Sequence, residues 1–454
     1  MATQNLCDSG ITWIYIKKWA VQKQYNKNIN VSMPPVRITN MLSSYTNVIL
    51  ILLITLRVGV SVCLTAGMGW DFPNYYRVGT LLLNGQEEDL YQVNVSGGIV
   101  GFPISSYLFA PLGMFAPRQS LLFFKAQAAL LFAAALFLLF RSIQESGIAV
   151  QDKGAMLSAF LLSCLFYEPF WFVFAAGGQS TPFAMFLLVI FYRFYLKGQD
   201  WWAALCLSGA TLIKPVLAPA ALIFVFAGDL RLLRNLMVWL SLAAMASVLL
   251  LGWPLHREWL ELLISTALSE LPPWWNNSSV WGVFYSVWSI KHGGSLDAPE
   301  KMQGVSLGII LILKALITVW MFRLVHVVKT QNLERQEVRH HLVSLAILFA
   351  LVLSDIVWPH YLAFLFVPLI FLIVAANRLP LSPRALVWLI LISSLAVQSR
   401  FAQRYALSTI TEYPLVQSLV AGLFGSGTLI LTFILFSVCQ LDIIRSLRGL
   451  KPVR

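Results

Sequence analysis

The stretch Ser120–Phe140, SLLFFKAQAALLFAAALFLLF, decides the fold class of this chain. It is apolar over roughly the 20 residues that an α-helix needs to cross the hydrocarbon core of a bilayer, and Lys125 is its one charged residue. A helix satisfies its own backbone hydrogen bonds, so a run of this kind is stable in lipid. The stretch therefore predicts a membrane-spanning helix.

Similar apolar runs recur along the chain, separated by short polar segments. Of 454 residues, 58% are hydrophobic and only 11% are charged, and the mean hydropathy is +0.75. Soluble domains carry about 25% charged residues. We therefore expect an all-α polytopic membrane protein with about twelve transmembrane helices. Besides Ser120–Phe140, the predicted spans are Tyr45–Ala66, Gly154–Ala176, Thr181–Leu196, Trp201–Ile213, Val216–Gly228, Leu236–Gly252, Met302–Phe322, His341–Val357, Tyr361–Ala376, Ala385–Val397 and Val416–Cys439.

The net charge of +12 does not indicate a nucleic-acid partner, because most basic residues lie in the short segments between apolar runs. Membrane proteins enrich Lys and Arg in their cytoplasmic loops. The pattern predicts a cytoplasmic N-terminal segment (residues 1–43), one transmembrane domain (residues 44–440) and a cytoplasmic tail (residues 441–454). It also places the long segments Gly67–Gly101 and Trp253–Glu300 outside the cytoplasm.

Two short elements near the first external loop depart from the pattern of spans. Ile104–Ala116 is apolar but short and lies among prolines, so we expect a re-entrant or tilted element, and whether it crosses fully stays open. Asp71–Leu83 has apolar residues at helical spacing, which predicts a helix lying in the membrane interface. The fold should therefore combine a helical bundle with interfacial helices in its external loops.

Polar side chains at the outer ends of the spans are the candidate functional residues, since ionisable groups at membrane depth are costly. Asp71 follows the first predicted span and begins the predicted interfacial helix. Its carboxylate could cap that helix, or it could act as a general base toward a sugar hydroxyl. The sequence leaves both roles open.

Two candidate cations lie at the same predicted face. Lys214 falls between two short apolar runs, where its ammonium could reach the interface or bind a lipid phosphate as a point charge. His360 is flanked by apolar spans on both sides, and its imidazole could either be structural or donate to a phosphate. Both readings stay open for each residue.

Amide side chains complete the set of candidates. Gln179 lies in the tight turn Gly177–Ser180 and offers both a donor and an acceptor, although such a turn needs no further function. Asn276 and Asn277 could hold sugar hydroxyls. The five cysteines make no metal-ligand spacing, and no acidic pair with such spacing is evident. We therefore expect a protein that needs neither a metal ion nor a cofactor.

In their order along the chain, these elements resemble glycosyltransferase family 87, the polyprenyl-phosphate-mannose-dependent mannosyltransferases of the GT-C superfamily. The resemblance extends over residues 45–375. The matching stretches are Trp70-Asp71 with Tyr75 and Tyr76, Leu90-Tyr91, Phe102–Pro117, Gly178-Gln179, Lys197-Gly198, Gly209 with Lys214-Pro215, Asn277-Ser278-Ser279, and Ser354 through Trp358-Pro359-His360-Tyr361.

The resemblance implies a GT-C-type bundle with an external cavity beneath flattened loop helices. It implies that Asp71 is the catalytic base and that Lys214 and His360 contact the phosphate of the donor. The remaining residues that we expect to bind substrate are Tyr75, Tyr76, Gln179, Asn276, Asn277, Asp355 and Trp358.

We therefore expect a multi-pass hexosyltransferase of the plasma (inner) membrane, with its active site on the external or periplasmic side. It would move mannose from a polyprenyl-phosphate donor, which is a substrate and not a cofactor, to a glycolipid or glycan acceptor. Two alternatives stay open: an enzyme of the same architecture with another lipid-linked sugar, and a transporter or flippase. Transporters place ionisable groups at the bilayer midplane between inverted repeats, whereas here the candidates cluster at one predicted face and no repeat is visible.

Overall fold

The computed structural model describes residues 36–63, 71–91, 101–145, 153–175, 178–269, 277–282, 305–330 and 333–376, with further positions at 284, 288, 429–430, 432–434 and 437. These residues form helices and connecting turns, and no β-strand occurs among them. The predicted span Ala385–Val397 and most of Val416–Cys439 lie outside the described residues. The number of about twelve spans therefore stays a prediction.

The described helices follow one another between Val36 and Ala376. The α-helices are α1 (Val36–Cys63), α2 (Phe72–Leu83), α3 (Pro117–Glu145), α4 (Lys153–Phe166), α5 (Glu168–Ala175), α6 (Thr181–Leu196), α7 (Asp200–Ile213), α8 (Ala220–Phe226), α9 (Leu230–Leu251), α10 (Trp253–Ser269), α11 (Val305–Thr330), α12 (Arg335–Leu353) and α13 (Phe366–Ala376). Segments of 3₁₀ helix cover Glu87–Asp89, Pro103–Met114, Pro215–Leu217 and Pro359–Leu365.

Four of the described helices are long and apolar enough to cross a membrane, judged by their length and composition. They are Pro117–Glu145, Leu230–Leu251, Leu307–Thr330 and Arg335–Leu353. The described part of the chain is therefore all-helical, and its apolar helices are those of a membrane protein, as the composition predicts.

The predicted span Gly154–Ala176 is wrong in one respect, because it consists of two helices and not one. Helix α4 ends at Phe166 and α5 begins at Glu168, directly before Pro169. Proline has no amide hydrogen for the ladder of a continuing helix. The break also frees Tyr167 for a long-range contact, in which its buried hydroxyl donates to the backbone oxygen of Leu362 over 2.5 Å.

The predicted span Val216–Gly228 is likewise broken into two short helices. A 3₁₀ turn covers Pro215–Leu217, and α8 covers only Ala220–Phe226. Lys214 precedes this pair in an extended conformation, with φ −132° and ψ 90°. The consequence is an irregular junction after α7, and this junction carries a lysine.

Helix α12 forms the centre of the bundle. Every residue from Arg339 to Val352 is buried, so this helix is covered on all sides. A helix that is apolar all round requires such burial. It packs against α8, α11 and α13, and against the 3₁₀ turn that follows Lys214. This helix also contacts the 3₁₀ helix Pro359–Leu365, so it supports the segments that carry or follow Lys214 and His360.

Helix α2 lies against the 3₁₀ segment Pro103–Met114, and two glycines allow the close approach. A Cβ atom added at Gly79 would lie 2.4 Å from the backbone oxygen of Phe109, and one added at Gly113 would lie 2.6 Å from the backbone of Gly79. Any larger side chain at either position would push the two elements apart. The tight contact fixes the position of α2 and of Asp71 at its start.

A buried ion pair lies at the other end of α7 from Lys214. Nη2 of Arg339 is 3.2 Å from Oδ1 of Asp200, the first residue of α7, and both side chains are buried. The same guanidinium donates to the backbone oxygen of Tyr195 at the end of α6. The turn between α6 and α7 is thereby attached to the central helix α12.

Candidate active site

Four segments that are far apart in the sequence bring their polar side chains together. Asp71 lies at the start of α2, Gln179 lies in the turn before α6, and Lys214 lies at the junction after α7. His360 lies in the 3₁₀ helix Pro359–Leu365. Charge interactions join Asp71 to Lys214 and Lys214 to His360. The structure therefore brings the predicted carboxylate, ammonium and imidazole into one cluster.

The Asp71 carboxylate does not cap the helix that it begins. Asp71 occupies the N-cap position of α2, but its side chain makes no capping hydrogen bond. Instead its Oδ2 accepts a hydrogen bond from Nε2 of Gln179. Burial raises the pKa of the Asp71 carboxyl above its ordinary value, whereas the Gln179 hydrogen bond and the Lys214 charge act against this rise. A carboxylate in such a setting can accept a proton.

The turn that carries Gln179 is packed directly against the start of α2. Gly178 has a φ of 73°, and a Cβ atom there would lie 3.3 Å from Cβ of Phe72. On the other side of Gln179, Oγ of Ser180 lies 3.2 Å from the hydroxyl of Tyr75. Glycine is needed for this backbone conformation and close approach. The contacts hold Gln179 opposite Asp71.

Lys214 is buried beside the ring of Tyr361, which was not among the predicted site residues. Its Nζ lies 5.0 Å from the centroid of the Tyr361 ring, within the range of a cation–π contact. The residue lies in the junction between helices, and only 7% of it is exposed. Burial lowers the pKa of Lys214 to about 8, and the Asp71 carboxylate opposes this shift. The ammonium form therefore predominates at neutral pH.

His360 is buried and packs edge-on against the same ring. The ring centroids of His360 and Tyr361 are 4.6 Å apart with an interplanar angle of 86°. The 3₁₀ turn keeps these neighbours in place, because the Tyr361 amide donates to the backbone oxygen of Trp358 over 2.8 Å. Tyr361 is thus the common neighbour of the lysine and the histidine.

Asn277 supports the loop before His360 with its side chain. Its Nδ2 donates to the backbone oxygen of Asp355 over 2.9 Å, and its Oδ1 accepts from the Val357 amide over 3.0 Å. Ser279 adds a bond of 2.8 Å from its hydroxyl to the same Asp355 oxygen. This arrangement favours a positioning role for Asn277, since most of its hydrogen-bonding capacity is already used within the protein.

Asp355 forms an ion pair with Lys314, a residue that was not among the predicted site residues. Nζ of Lys314, on α11, lies 2.5 Å from Oδ1 of Asp355 and 5.3 Å from the centroid of the Trp281 ring. Lysine in a long apolar helix is costly without such a partner. Lys314 is therefore a residue of this region that sequence reasoning missed, although its place within an apolar span marked it as unusual.

The other predicted substrate-binding residues occupy different surroundings. Tyr75 is buried, and its ring stacks on Phe109 at 4.3 Å. The Tyr76 hydroxyl donates to the backbone oxygen of Phe115 over 3.1 Å, on the side of the 3₁₀ segment. Trp358 is half-buried at the start of the 3₁₀ helix that carries His360. Asn276 lies outside the described residues.

No group of three or more His, Cys, Asp or Glu side chains with metal-ligand proximity occurs among the described residues. The expected metal independence stays a prediction.

A family model described as glycosyltransferase family 87 matches residues 103–355, which is more than half of the chain. Gln179, Lys214 and Asn277 lie inside the matched range. Asp71 precedes this range and His360 follows it. Their assignment to the candidate site therefore depends on their position in the cluster. No curated protein sequence matches the chain significantly.

Proposed function

This chain belongs to glycosyltransferase family 87 and is therefore a membrane glycosyltransferase, and we propose that it transfers mannose from a polyprenyl-phosphate donor to a glycolipid or glycan acceptor. The proposed site is the cluster of Asp71, Gln179, Lys214 and His360. We further propose that this site faces the external or periplasmic side of the plasma membrane.

The observation that carries the proposal is the meeting of one half-buried carboxylate with two buried nitrogen groups. Asp71 is half-buried and interacts with the charge of Lys214, which in turn interacts with His360. A transfer from a lipid phosphate needs a base at the acceptor and cationic or donor groups at the leaving phosphate. The cluster contains both kinds of group.

The proposed reaction is an inverting displacement at the anomeric carbon of the donor sugar. The acceptor hydroxyl oxygen forms a bond to that carbon while Asp71 takes the hydroxyl proton. The bond between the anomeric carbon and the phosphate oxygen breaks, and its electron pair leaves with the lipid phosphate. Lys214 and His360 stabilise the charge on that phosphate. A phosphate monoester is a good leaving group, so this scheme requires no general acid.

The outer-face location is supported by the charge pattern of the sequence. Lys214 and His360 lie at the span ends opposite to the basic loops that mark the cytoplasm. The buried pair of Arg339 and Asp200 lies at the other end of α7, toward the predicted cytoplasmic side. In the proposal, the end of α7 next to Lys214 belongs to the active site, and the end at Asp200 has a structural role.

The proposal is tested by sugar transfer with the purified full-length chain in liposomes. Polyprenyl phosphates carrying labelled mannose, glucose or a pentose are supplied together with membrane acceptor lipids. The proposal predicts label in the acceptor from the mannose donor at a higher rate than from the others. Transfer from another donor in preference would replace mannose in the proposal. Absence of transfer from every donor, with movement of the lipid across the bilayer, would support a flippase instead.

A further inference from the structure

The side chain of Gln179 has one half bonded and the other half without a partner. Its Nε2 donates to Oδ2 of Asp71. Its Oε1 is buried and has no hydrogen-bond partner in the described part of the chain. Only 3% of the residue is exposed. An amide oxygen left in this state costs free energy unless something bonds to it.

The backbone around Gln179 prevents the side chain from turning away. Gly178 packs against Phe72, and Ser180 is bonded to Tyr75, so the turn is attached to α2 on both sides of Gln179. The fixed amide therefore faces the first turn of α2, where Asp71 lies. A bound molecule is a natural partner for an unsatisfied polar atom beside a candidate base.

We propose that Gln179 positions Asp71 as the base and that its amide oxygen binds a second hydroxyl of the acceptor sugar, next to the hydroxyl that attacks. This inference rests on the proposed function. With Oδ2 held by the Gln179 amide, Oδ1 of Asp71 is left to receive the proton of the attacking hydroxyl. One amide then orients both the base and the nucleophile, which is the geometric requirement for an efficient displacement.

Several groups besides Gln179 face Asp71, and a test must separate the effect of Gln179 from theirs. Lys214 provides a positive charge, and Tyr75 and Tyr361 are neutral phenols on adjacent elements. His360 faces the charge of Lys214. Since the Gln179 bond stabilises the charged carboxylate, its removal raises the pKa of Asp71 and shifts the acidic limb of the activity profile to higher pH.

The experiment compares wild type with Gln179→Leu and Gln179→Glu, using the full-length chain in liposomes. We expect both variants to move the acidic limb of kcat/KM upward by about 1–2 pH units, the shift that corresponds to a hydrogen bond to a charged group. Leucine removes the donor, and an ionised glutamate adds a like charge beside Asp71. Gln179→Leu should also raise KM for the acceptor, with KM for the donor unchanged.

Ser142→Ala is the control, because it removes a buried side-chain hydrogen bond, from the Ser142 hydroxyl to the backbone oxygen of Leu138, outside the turn that carries Gln179. It should leave the acidic limb where it is in wild type. If a folded, active Gln179→Leu enzyme kept both the acidic limb and the acceptor KM of wild type, this inference would be overturned and the proposed function would stand. If wild type transfers no sugar, the proposed function fails and this inference fails with it. Gln179→Glu provides the test if the leucine variant does not fold.

Discussion

The ammonium of Lys314 lies 2.5 Å from a carboxylate oxygen of Asp355, and this pair joins helix α11 to the loop that leads to His360. The side chains are 18% and 39% exposed, so the pair is only partly shielded. Asn277 and Ser279 bind the backbone oxygen of the same aspartate. The loop is therefore held at Asp355, both through the side chain of that residue and through its backbone oxygen.

The first prediction concerns this pair. Lys314→Met and Asp355→Asn should each lower thermal stability, while the double variant should lose less than the sum of the two. We expect a coupling of about 1 kcal/mol, because the pair is partly exposed. Thermal unfolding of the four proteins in one detergent measures this coupling. Strictly additive losses would show that the two side chains do not support each other.

The second prediction concerns the pH dependence of transfer. Activity should fall at low pH as Asp71 is protonated, at a pH above the ordinary range of an aspartate because burial raises its pKa. It should fall at high pH as Lys214 loses its proton near pH 8, since its pKa is lowered to about 8. A plot of kcat/KM against pH should therefore be bell-shaped.

Lys214→Arg separates the two limbs of this profile. Arginine stays protonated throughout the accessible range, so the alkaline limb near pH 8 should disappear while the acidic limb remains. Lys214→Gln should lower kcat by about 10²–10³-fold, because the leaving phosphate loses a cation. An arginine variant that retains the alkaline limb would assign that limb to another group.

The third prediction concerns the contact between α2 and the 3₁₀ segment Pro103–Met114. Gly79→Ala places a methyl group 2.4 Å from the backbone oxygen of Phe109, so the two elements must separate. The expected loss of stability is about 1–3 kcal/mol, as for overpacked cores. Gly59→Ala is the control, since a Cβ atom there meets nothing within 4 Å. Equal melting temperatures for the two variants would contradict the close packing.

The fourth prediction concerns the buried pair at the other end of α7. Arg339→Met leaves the Asp200 carboxylate buried without its cation and should cost about 3–5 kcal/mol of stability. The double variant Arg339→Met, Asp200→Leu should recover part of that loss. Both limbs of the pH profile should stay in place in the folded fraction, since this pair lies away from Asp71. A shifted limb would show that the two ends are coupled.

The sequence predicted the individual elements better than their interactions. The boundaries Thr181–Leu196 of α6 agree with the predicted span, because a long apolar run between a turn and a lysine leaves little choice. The break at Tyr167 was missed, although Pro169 was visible, because apolar residues continue on both sides. Hydrophobic periodicity indicates the length of a helix and which of its faces is buried, but it does not show where the helix breaks.

In the candidate site, too, individual residues were predicted but their contacts were not. The sequence indicated Asp71, Lys214 and His360 as costly polar groups, but it could not show that Gln179 binds the carboxylate or that Tyr361 contacts both Lys214 and His360. The pairing of Lys314 with Asp355 was equally hidden. These contacts join distant parts of the chain, and a single sequence contains no signal for such pairings.

The most direct test of the central claim is single-turnover transfer by wild type and Asp71→Asn, with the Kd for the donor measured on the same preparations. The asparagine keeps the shape of the side chain but cannot take the proton of the acceptor hydroxyl. The account predicts an unchanged Kd and a rate of transfer lower by about 10²–10⁴-fold. Equal rates of transfer for the two proteins would contradict it.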